Sequence, residues 1–358
     1  MISAGPFADL PRHLGPPIEV ISAHAEGEVG DVIIGGVPPP PGATLWEQRT
    51  FLDRDGGLRS LLLNEPRGGV HRHANLLVPA NHPDAAMGFI IMEPELMPPM
   101  SGSNTICVAT VLLECGLVPM HEPTTEFILE APGGLVPIRA ACANGRTTSV
   151  TLHNLPSFVC ERDRTLTLPA IGTIQVDTVF GGDSFVVVNA ADCDLALDPA
   201  EAHRIARIGM MITAQANATL GFRHPELDDW NAISFCLFVG PCTQDGDHHS
   251  TQTAVTIQPG RIDRSPTGTG VSALMALLHD RGIMHPGQTL TARSLIGATM
   301  TGAFSAASPV ADRPAVMPEI TGRAWITGIH QHRLDPDDPW PSGYRLSDTW
   351  GQSHTRTS

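Results

Sequence analysis

The sequence predicts an α+β fold of two similar domains, and three observations predict it. Strand-like runs greatly outnumber helical ones along the 358 residues, which argues against a doubly wound parallel sheet. Two segments read as helices that are apolar nearly all round, hence buried, and each stops at a glycine suited to a left-handed C-terminal cap. These two helices also echo each other. Ser101 matches Thr267, Gly102 matches Gly268, Ser103 matches Thr269 and Gly116 matches Gly282, every pair 166 residues apart. A constant offset of that kind reads as an internal duplication, and the length accommodates two domains that each bury a core.

Taken in order, Ile18 to Ala23 and Asp31 to Gly36 read as strands, followed by the proline-rich loop Pro38 to Pro41 and a helix over Thr44 to Leu52. Further strand-like runs lie at 75–78, 88–92, 126–129, 136–141, 174–180, 185–189, 233–239, 253–257 and 324–329. A helix is expected over Pro199 to Leu220, with Asp198 as its N-cap and Pro199 at the first helical position. The first central helix follows the turn Met100-Ser101-Gly102-Ser103-Asn104 and runs to Gly116. The second follows Pro266-Thr267-Gly268-Thr269-Gly270 and runs to Gly282.

Composition closes several functional classes. All 22 cations are arginine and none is lysine, so neither a lysine Schiff base nor a P-loop lysine is available. A net charge of −15 with scattered arginines argues against a nucleic-acid or acidic membrane surface. No apolar run approaches the roughly 18 residues of a membrane span, and the N-terminus lacks the pattern of a signal peptide. Seven cysteines without a CxxC pair suit reduced thiols and a cytoplasmic location.

A helix N-terminus offers free backbone N–H groups and partial positive charge, which suit a carboxylate. Two such termini facing each other would grip one carboxylate from both sides and bracket the adjacent α-carbon between Ser101 and Thr267. That geometry serves proton removal beside a carboxylate, with the enolate charge held by fixed donors, and it needs no cofactor. Ser, Thr and Gly are also common at helix starts for capping alone, so coincidence is the competing reading.

These residues carry a resemblance to the proline racemase family, which includes proline racemases, 4-hydroxyproline 2-epimerases and trans-3-hydroxy-L-proline dehydratases. The matching segments are His24-Ala25-Glu26-Gly27-Glu28, Asn64-Glu65-Pro66-Arg67-Gly68, Met100 to Thr105, Phe180-Gly181-Gly182-Asp183-Ser184-Phe185 and Asp263-Arg264-Ser265-Pro266-Thr267-Gly268-Thr269-Gly270. The resemblance implies two pseudo-symmetric domains of diaminopimelate epimerase-like fold, each a curved sheet around a central helix, with the site in the cleft between them. The domains are expected at 1–170, joined by a returning segment at about 335–358, and at 171–334. By the family pattern Ser101 and Thr267 stand at the two acid/base positions, and Gly102, Ser103, Gly268 and Thr269 hold the substrate carboxylate. Asp263 stands where the ring nitrogen is contacted.

Racemases of the family carry cysteine at both acid/base positions, since a thiol ionises near neutrality and an alkyl hydroxyl does not. Threonine at the second position resembles the dehydratases, in which the α-proton leaves from one face and the carbanion expels a C3 hydroxyl. The expected activity is therefore cofactor-independent dehydration of trans-3-hydroxy-L-proline to 1-pyrroline-2-carboxylate. Ser101 is expected as the base, with its own proton acceptor unidentified, and Thr267 as an aid to the departing hydroxyl. A hydroxyproline 2-epimerase and a non-catalytic amino-acid binding protein are the alternatives. The partner is a small-molecule hydroxyproline, and the protein is expected as a monomer or homodimer.

Other features have plainer readings. Cys107, six residues beyond Ser101, reads as a core thiol rather than a substitute nucleophile. His71 to His73, Asp247 to His249 and His330 to His332 show no metal-ligand spacing and read as surface loops. Glu28 and Asp183 read as solvated strand ends, and His224 is a candidate cleft residue. Arg67 and Arg264 are the arginines to examine for carboxylate binding, although Arg264 could simply partner Asp263.

Overall fold

The protein is described by a computed structural model, which covers residues 15–169, 171–227 and 229–350. Its fold is α+β, and the duplication is written in the strand pairing. In the first half seven strands pair in sequence: Ile18–Ala25, Glu28–Gly35, Arg72–Val78, Met87–Met92, Thr124–Ala131, Gly134–Ala143 and Arg146–His153. Their successive pairings are antiparallel, parallel, antiparallel, parallel, antiparallel and antiparallel. The second half repeats that order through Gly172–Phe180, Ser184–Asn189, Phe235–Val239, His248–Ile257, Thr289–Arg293, Thr299–Ala306 and Ala315–Gly322.

Each half takes its eighth strand from beyond the expected boundary. Ser157–Leu168 pairs with Gly172–Phe180 and with Ala315–Gly322, closing a ring of eight strands in the second half. Ala324–His332 returns to pair with Ile18–Ala25 in the first half. By pairing, the changeovers therefore fall near 155 and 323 rather than at 170 and 334. Each eighth strand joins the half that supplies its pairing partner, so pairing rather than sequence order sets the changeovers. The segment after 334 packs on the first half up to Trp350: Tyr344 bridges to Glu65, and the Trp350 indole N–H donates to Glu65 at 3.1 Å. Residues 1–14 and 351–358 lie outside the described residues.

Each half encloses one apolar helix, Gly102–Glu114 in the first and Gly268–Asp280 in the second. Residues 102–113 and 268–278 are all buried, and both helices belong to the largest apolar cluster. Gly116 and Gly282 follow with φ of +72° and +68°, where no atom would meet an added Cβ. Backbone conformation alone thus calls for glycine at both exits. The helices begin earlier than the sequence implies. Gly102-Ser103-Asn104 and Gly268-Thr269-Gly270 are helical rather than turn, which leaves Ser101 and Thr267 as the N-caps.

Outer helices cover the parallel strand crossovers. Leu45–Asp55, capped by Thr44, and Gly57–Leu63 lie over the first half. Ala202–Thr219 lies over the second, with its buried Ile205, Ile208, Ile212 and Ala216 at helical spacing. Asp198 accepts from the Ala200 N–H as expected, but Pro199 opens a short 3₁₀ turn before the α-helix starts at Ala202. Unanticipated strands at Arg146–His153, Thr289–Arg293, Thr299–Ala306 and Ala315–Gly322 are rich in Thr, Ser and Gly. Thr favours strands, but sparse apolar residues and interruptions such as Gly302, Pro318 and Gly322 weaken the alternating signal.

The two helix starts meet backbone to backbone. A Cβ added to Gly102 would stand 2.9 Å from the Gly268 Cα, and one added to Gly268 would stand 3.1 Å from the Gly102 Cα. Gly102→Ala is therefore expected to force the starts apart and lower stability by about 1–3 kcal/mol, the usual range for overpacking. Calorimetric melting measures this, and a midpoint equal to wild type would show that the contact is not constraining.

Candidate active site

The Gly102–Gly268 contact brings the free N–H groups of both helices to one place. Each terminus carries partial positive charge, worth up to about 2 kcal/mol for a partly buried anion. Ser101 and Thr267 flank this double terminus, and both are at least nine-tenths buried, as are Ser103, Thr269 and Asp263. The structure therefore brings together all seven residues expected at the site.

The surroundings of the two hydroxyls differ. Ser101 Oγ accepts a hydrogen bond from the Asn104 side-chain amide at 2.9 Å. The same amide nitrogen lies 3.1 Å from His73 Nδ1, and Asn104 Oδ1 accepts from Asn75 at 2.8 Å. Thr267 Oγ1 instead donates to Asp263 Oδ2 at 2.6 Å. The other Asp263 oxygen accepts from the Ser265 N–H at 2.8 Å and from its hydroxyl at 2.9 Å, and Ser265 Oγ in turn accepts from the Thr267 N–H at 3.1 Å. Thr267 has φ of +65°, a strained setting for a β-branched residue.

This asymmetry bears on the expected roles, in which Ser101 is the base with its own proton acceptor unidentified. A hydroxyl ionises near the water value of about 16. Helix-terminus stabilisation of up to about 2 kcal/mol lowers that by roughly 1.5 units. A neutral-pH alkoxide is out of reach, so a working hydroxyl needs a carboxylate or imidazole to take its proton. Thr267 has such a partner in Asp263, whereas the bonded partner of Ser101 is an amide donor.

Several ionisable groups lie around the hydroxyls, and sequence reading misjudged most of them. Glu28 and Asp183 are about 1% exposed, not solvated strand ends. Burial alone would raise the Glu28 carboxyl, but Arg261, bonded to it at 2.6 Å, outweighs this and holds it at about 2. Glu28 also accepts from the Arg264 N–H at 2.8 Å, so Arg264 is tied by its backbone to the first half. Asp183 is raised by burial to about 7 although it accepts from the Ser184 N–H at 2.6 Å, and its second oxygen has no partner. Burial, and then the charge of Glu28, push Asp263 up to about 8. Glu93, missed entirely, is fully buried and pushed well above the usual carboxylate range by burial and by Asp183.

His73 lies on a buried strand rather than in a surface loop. Burial, and then Arg261, lower it to about 3, so its ring is neutral. It stands 3.5 Å from Glu28 and 3.8 Å from Glu93, against Arg261. His249 is also buried on a strand. His224 Nδ1 accepts from the Glu226 and Leu227 N–H groups at 3.1 and 2.9 Å, which places its proton on Nε2. Its ring packs edge-on against Phe158 and Phe180, and burial lowers its pKa to about 4. Among the described residues no group of three or more His, Cys, Asp or Glu is arranged to hold a metal ion. No described helix is long and apolar enough to cross a membrane.

Two sequence candidates belong elsewhere. Arg67 joins the first half to the C-terminal segment through Asp338 and the carbonyls of Trp340 and Pro341, so it does not face the site. Cys107 is fully buried, and burial raises its thiol well above the usual range. Cys115 caps the far end of the first helix. The remaining motifs hold the cleft together. Gly181 lies so close to the second helix that a Cβ would be 2.2 Å from the Thr269 carbonyl oxygen. Gly27, at φ +96°, turns the first hairpin against Arg264.

A model of the proline racemase family matches residues 20–345, both halves and both central helices included. The chain belongs to the proline racemase family. A probable proline racemase from Agrobacterium radiobacter K84, solved with bound carbonate, is 41% identical at a TM-score of 0.89, covering 94% of this chain and 98% of that one. A hydroxyproline epimerase from Agrobacterium vitis, with bound trans-4-hydroxy-L-proline, is 40% identical at a TM-score of 0.89, covering 94% and 97%. A phenazine biosynthesis protein from Bacillus anthracis, 12% identical at a TM-score of 0.53 over 89% and 99% of the chains, shares the fold alone.

In this family member, Asp183 and Asp263 keep protons at pH values where an unfolded chain has released them. A raised folded-state pKa means that stability falls as pH climbs from the unfolded carboxylate range through about 7 and about 8. The melting midpoint of the ligand-free protein is expected to drop between about pH 5 and 9, with a shallower drop in Asp183→Asn. A midpoint that stays level across that window would contradict these assignments.

Proposed function

We propose that this proline racemase family member removes the α-proton of a hydroxyproline and expels water, converting trans-3-hydroxy-L-proline to 1-pyrroline-2-carboxylate. The observation that carries the reading is the pair of hydroxyls, Ser101 and Thr267, flanking the double helix terminus where racemases carry thiols. Only the Thr267 hydroxyl has a carboxylate partner. Stereoinversion needs proton transfer at both faces of the α-carbon, whereas elimination needs a base at one. A single competent face supports elimination.

The substrate carboxylate would accept from the N–H groups at Gly102, Ser103, Gly268 and Thr269, the free donors of the two helix starts. Those same donors hold the negative charge that develops on the carboxylate as the α-proton leaves, which is where stabilisation speeds the reaction most. By the family pattern Asp263 would contact the ring nitrogen and favour its cationic form. The chemistry calls on no cofactor, since the leaving hydroxyl on C3 accepts the electron pair that a racemase returns to the α-carbon.

A second reading, a hydroxyproline 2-epimerase, is favoured by the 40% identical relative that holds trans-4-hydroxy-L-proline. Incubating the purified protein with each 3- and 4-hydroxyproline isomer separates the two. The expected result is a carbonyl-reactive pyrroline from trans-3-hydroxy-L-proline and no inversion of the 4-hydroxy isomers. Change of optical rotation without pyrroline would overturn the dehydratase reading, and binding with no exchange of the α-hydrogen in heavy water would leave only a binding protein.

A further inference from the structure

We infer that Asn104 is a positioning residue: it holds the Ser101 hydroxyl away from the capping bond of its own helix and leaves that hydroxyl to donate to the substrate. This rests on the proposed site, with Ser101 against the substrate, and it assigns what sets the behaviour of Ser101 there. A serine at an N-cap ordinarily turns its oxygen onto the backbone N–H two or three residues on. Ser101 makes no such bond. Asn104, three residues on and about 1% exposed, instead donates its side-chain amide to Ser101 Oγ at 2.9 Å. The N–H groups of the first helix start therefore stay free for an anion.

The direction of that bond is set from the backbone. Asn75, fully buried, donates to the Asp31 carbonyl at 3.1 Å, and a carbonyl can only accept. The same Asn75 nitrogen donates to Asn104 Oδ1 at 2.8 Å. Together these fix which end of the Asn104 amide is oxygen, so its nitrogen faces Ser101. Gly30 leaves room for the arrangement, since a Cβ there would stand 2.8 Å from Asn104 Oδ1. Ser101 Oγ is thus held as an acceptor, and none of the described residues takes its proton. The second half leaves its helix start uncapped by the opposite bond. Thr267 makes no side-chain cap either, and its hydroxyl donates to Asp263. The position 166 residues beyond Asn104 is Gly270, which has no side chain to donate. The two hydroxyls therefore differ in polarity, and Ser101 is the one with a proton uncommitted.

The test follows pyrroline formation from trans-3-hydroxy-L-proline and α-hydrogen exchange in heavy water. It compares wild type with Asn104→Ala, Asn104→Asp, Ser101→Ala and the double variant of Ser101→Ala with Asn104→Ala, each first shown to be folded by melting. Asn104→Ala is expected to lower kcat about 10-fold, the worth of one hydrogen bond, and to lower it no further once Ser101 is alanine. A packing role would persist in that background. Asn104→Asp carries the pH signature. Protonated, the new carboxyl donates to Ser101 as the amide does; ionised, it accepts the Ser101 proton instead. Around it stand Asp31 and Glu28 on the second strand, His73 on the third, Glu93 after the fourth, Arg261 beyond His73, and Cys107 on its own helix. The ratio of its kcat to that of wild type is expected to fall as pH rises. A ratio level with pH, or one that rises because Ser101 gains a proton acceptor and works as the base, would overturn the inference. So would Asn104→Ala at wild-type kcat, or a loss of equal size with and without the Ser101 hydroxyl, and these alanine variants decide the matter if Asn104→Asp does not fold. Wild type that exchanges the α-hydrogen without forming pyrroline would sink dehydration alone, and the same comparisons are then read on exchange. Wild type that does neither would overturn both.

Discussion

The contact between Gly102 and Gly268 is the constraint from which the rest of the site follows. With no side chain on either glycine, the two helix axes end against each other and their free N–H groups share one small volume. Any larger residue at either position would separate the termini, and with them the N–H groups proposed to share one carboxylate. The sheets, the exchanged eighth strands and the outer helices serve to hold two buried helices end to end. The near-complete burial of both helices makes that arrangement stiff, since a packed interior does not deform continuously.

Charge distribution around the contact is unusual for a buried site. Three carboxylates, from Glu28, Glu93 and Asp263, surround one buried arginine, Arg261, and one neutral imidazole, His73, and a fourth, Asp183, acts on Glu93. Only Glu28 is fully compensated, by its ion pair with Arg261. Burial raises the other three, more than Arg49 and Arg261 lower them. Under the proposed function, a substrate that brings its own ammonium would supply positive charge here, while its carboxylate would meet the helix termini. The absence of lysine in the sequence fits this division, since backbone dipoles serve the carboxylate and the acidic side chains serve the amine.

Much of this was legible in the sequence, because the duplication left its mark where backbone geometry is strictest. The 166-residue offset marks the two helices, their hydroxyl caps and their terminal glycines, and the long motif around Thr267 marks the family. The strand exchange was not legible, since nothing in the residues of Ser157–Leu168 tells which half they join. The buried polar network was missed for a different reason. His73 follows two other polar residues, His71 and Arg72, in a run that reads as a loop, and Glu28 and Asp183 sit at strand starts, where carboxylates are ordinarily solvated. Their burial depends on the approach of the other half, which no local pattern encodes. Asn104 carried the available hint, as a polar residue in the first turn of an otherwise apolar helix.

The central claim is that both helix starts hold one carboxylate, and a crystal structure with a planar five-membered-ring acid such as pyrrole-2-carboxylate tests it most directly. Its trigonal α-carbon resembles the carbanion formed when the α-proton leaves. The account predicts carboxylate oxygens within hydrogen-bonding distance of backbone N–H groups from both the Gly102 and Gly268 helix starts, with the ring between Ser101 and Thr267. A carboxylate held by one helix alone, or by an arginine away from the glycine contact, would contradict it.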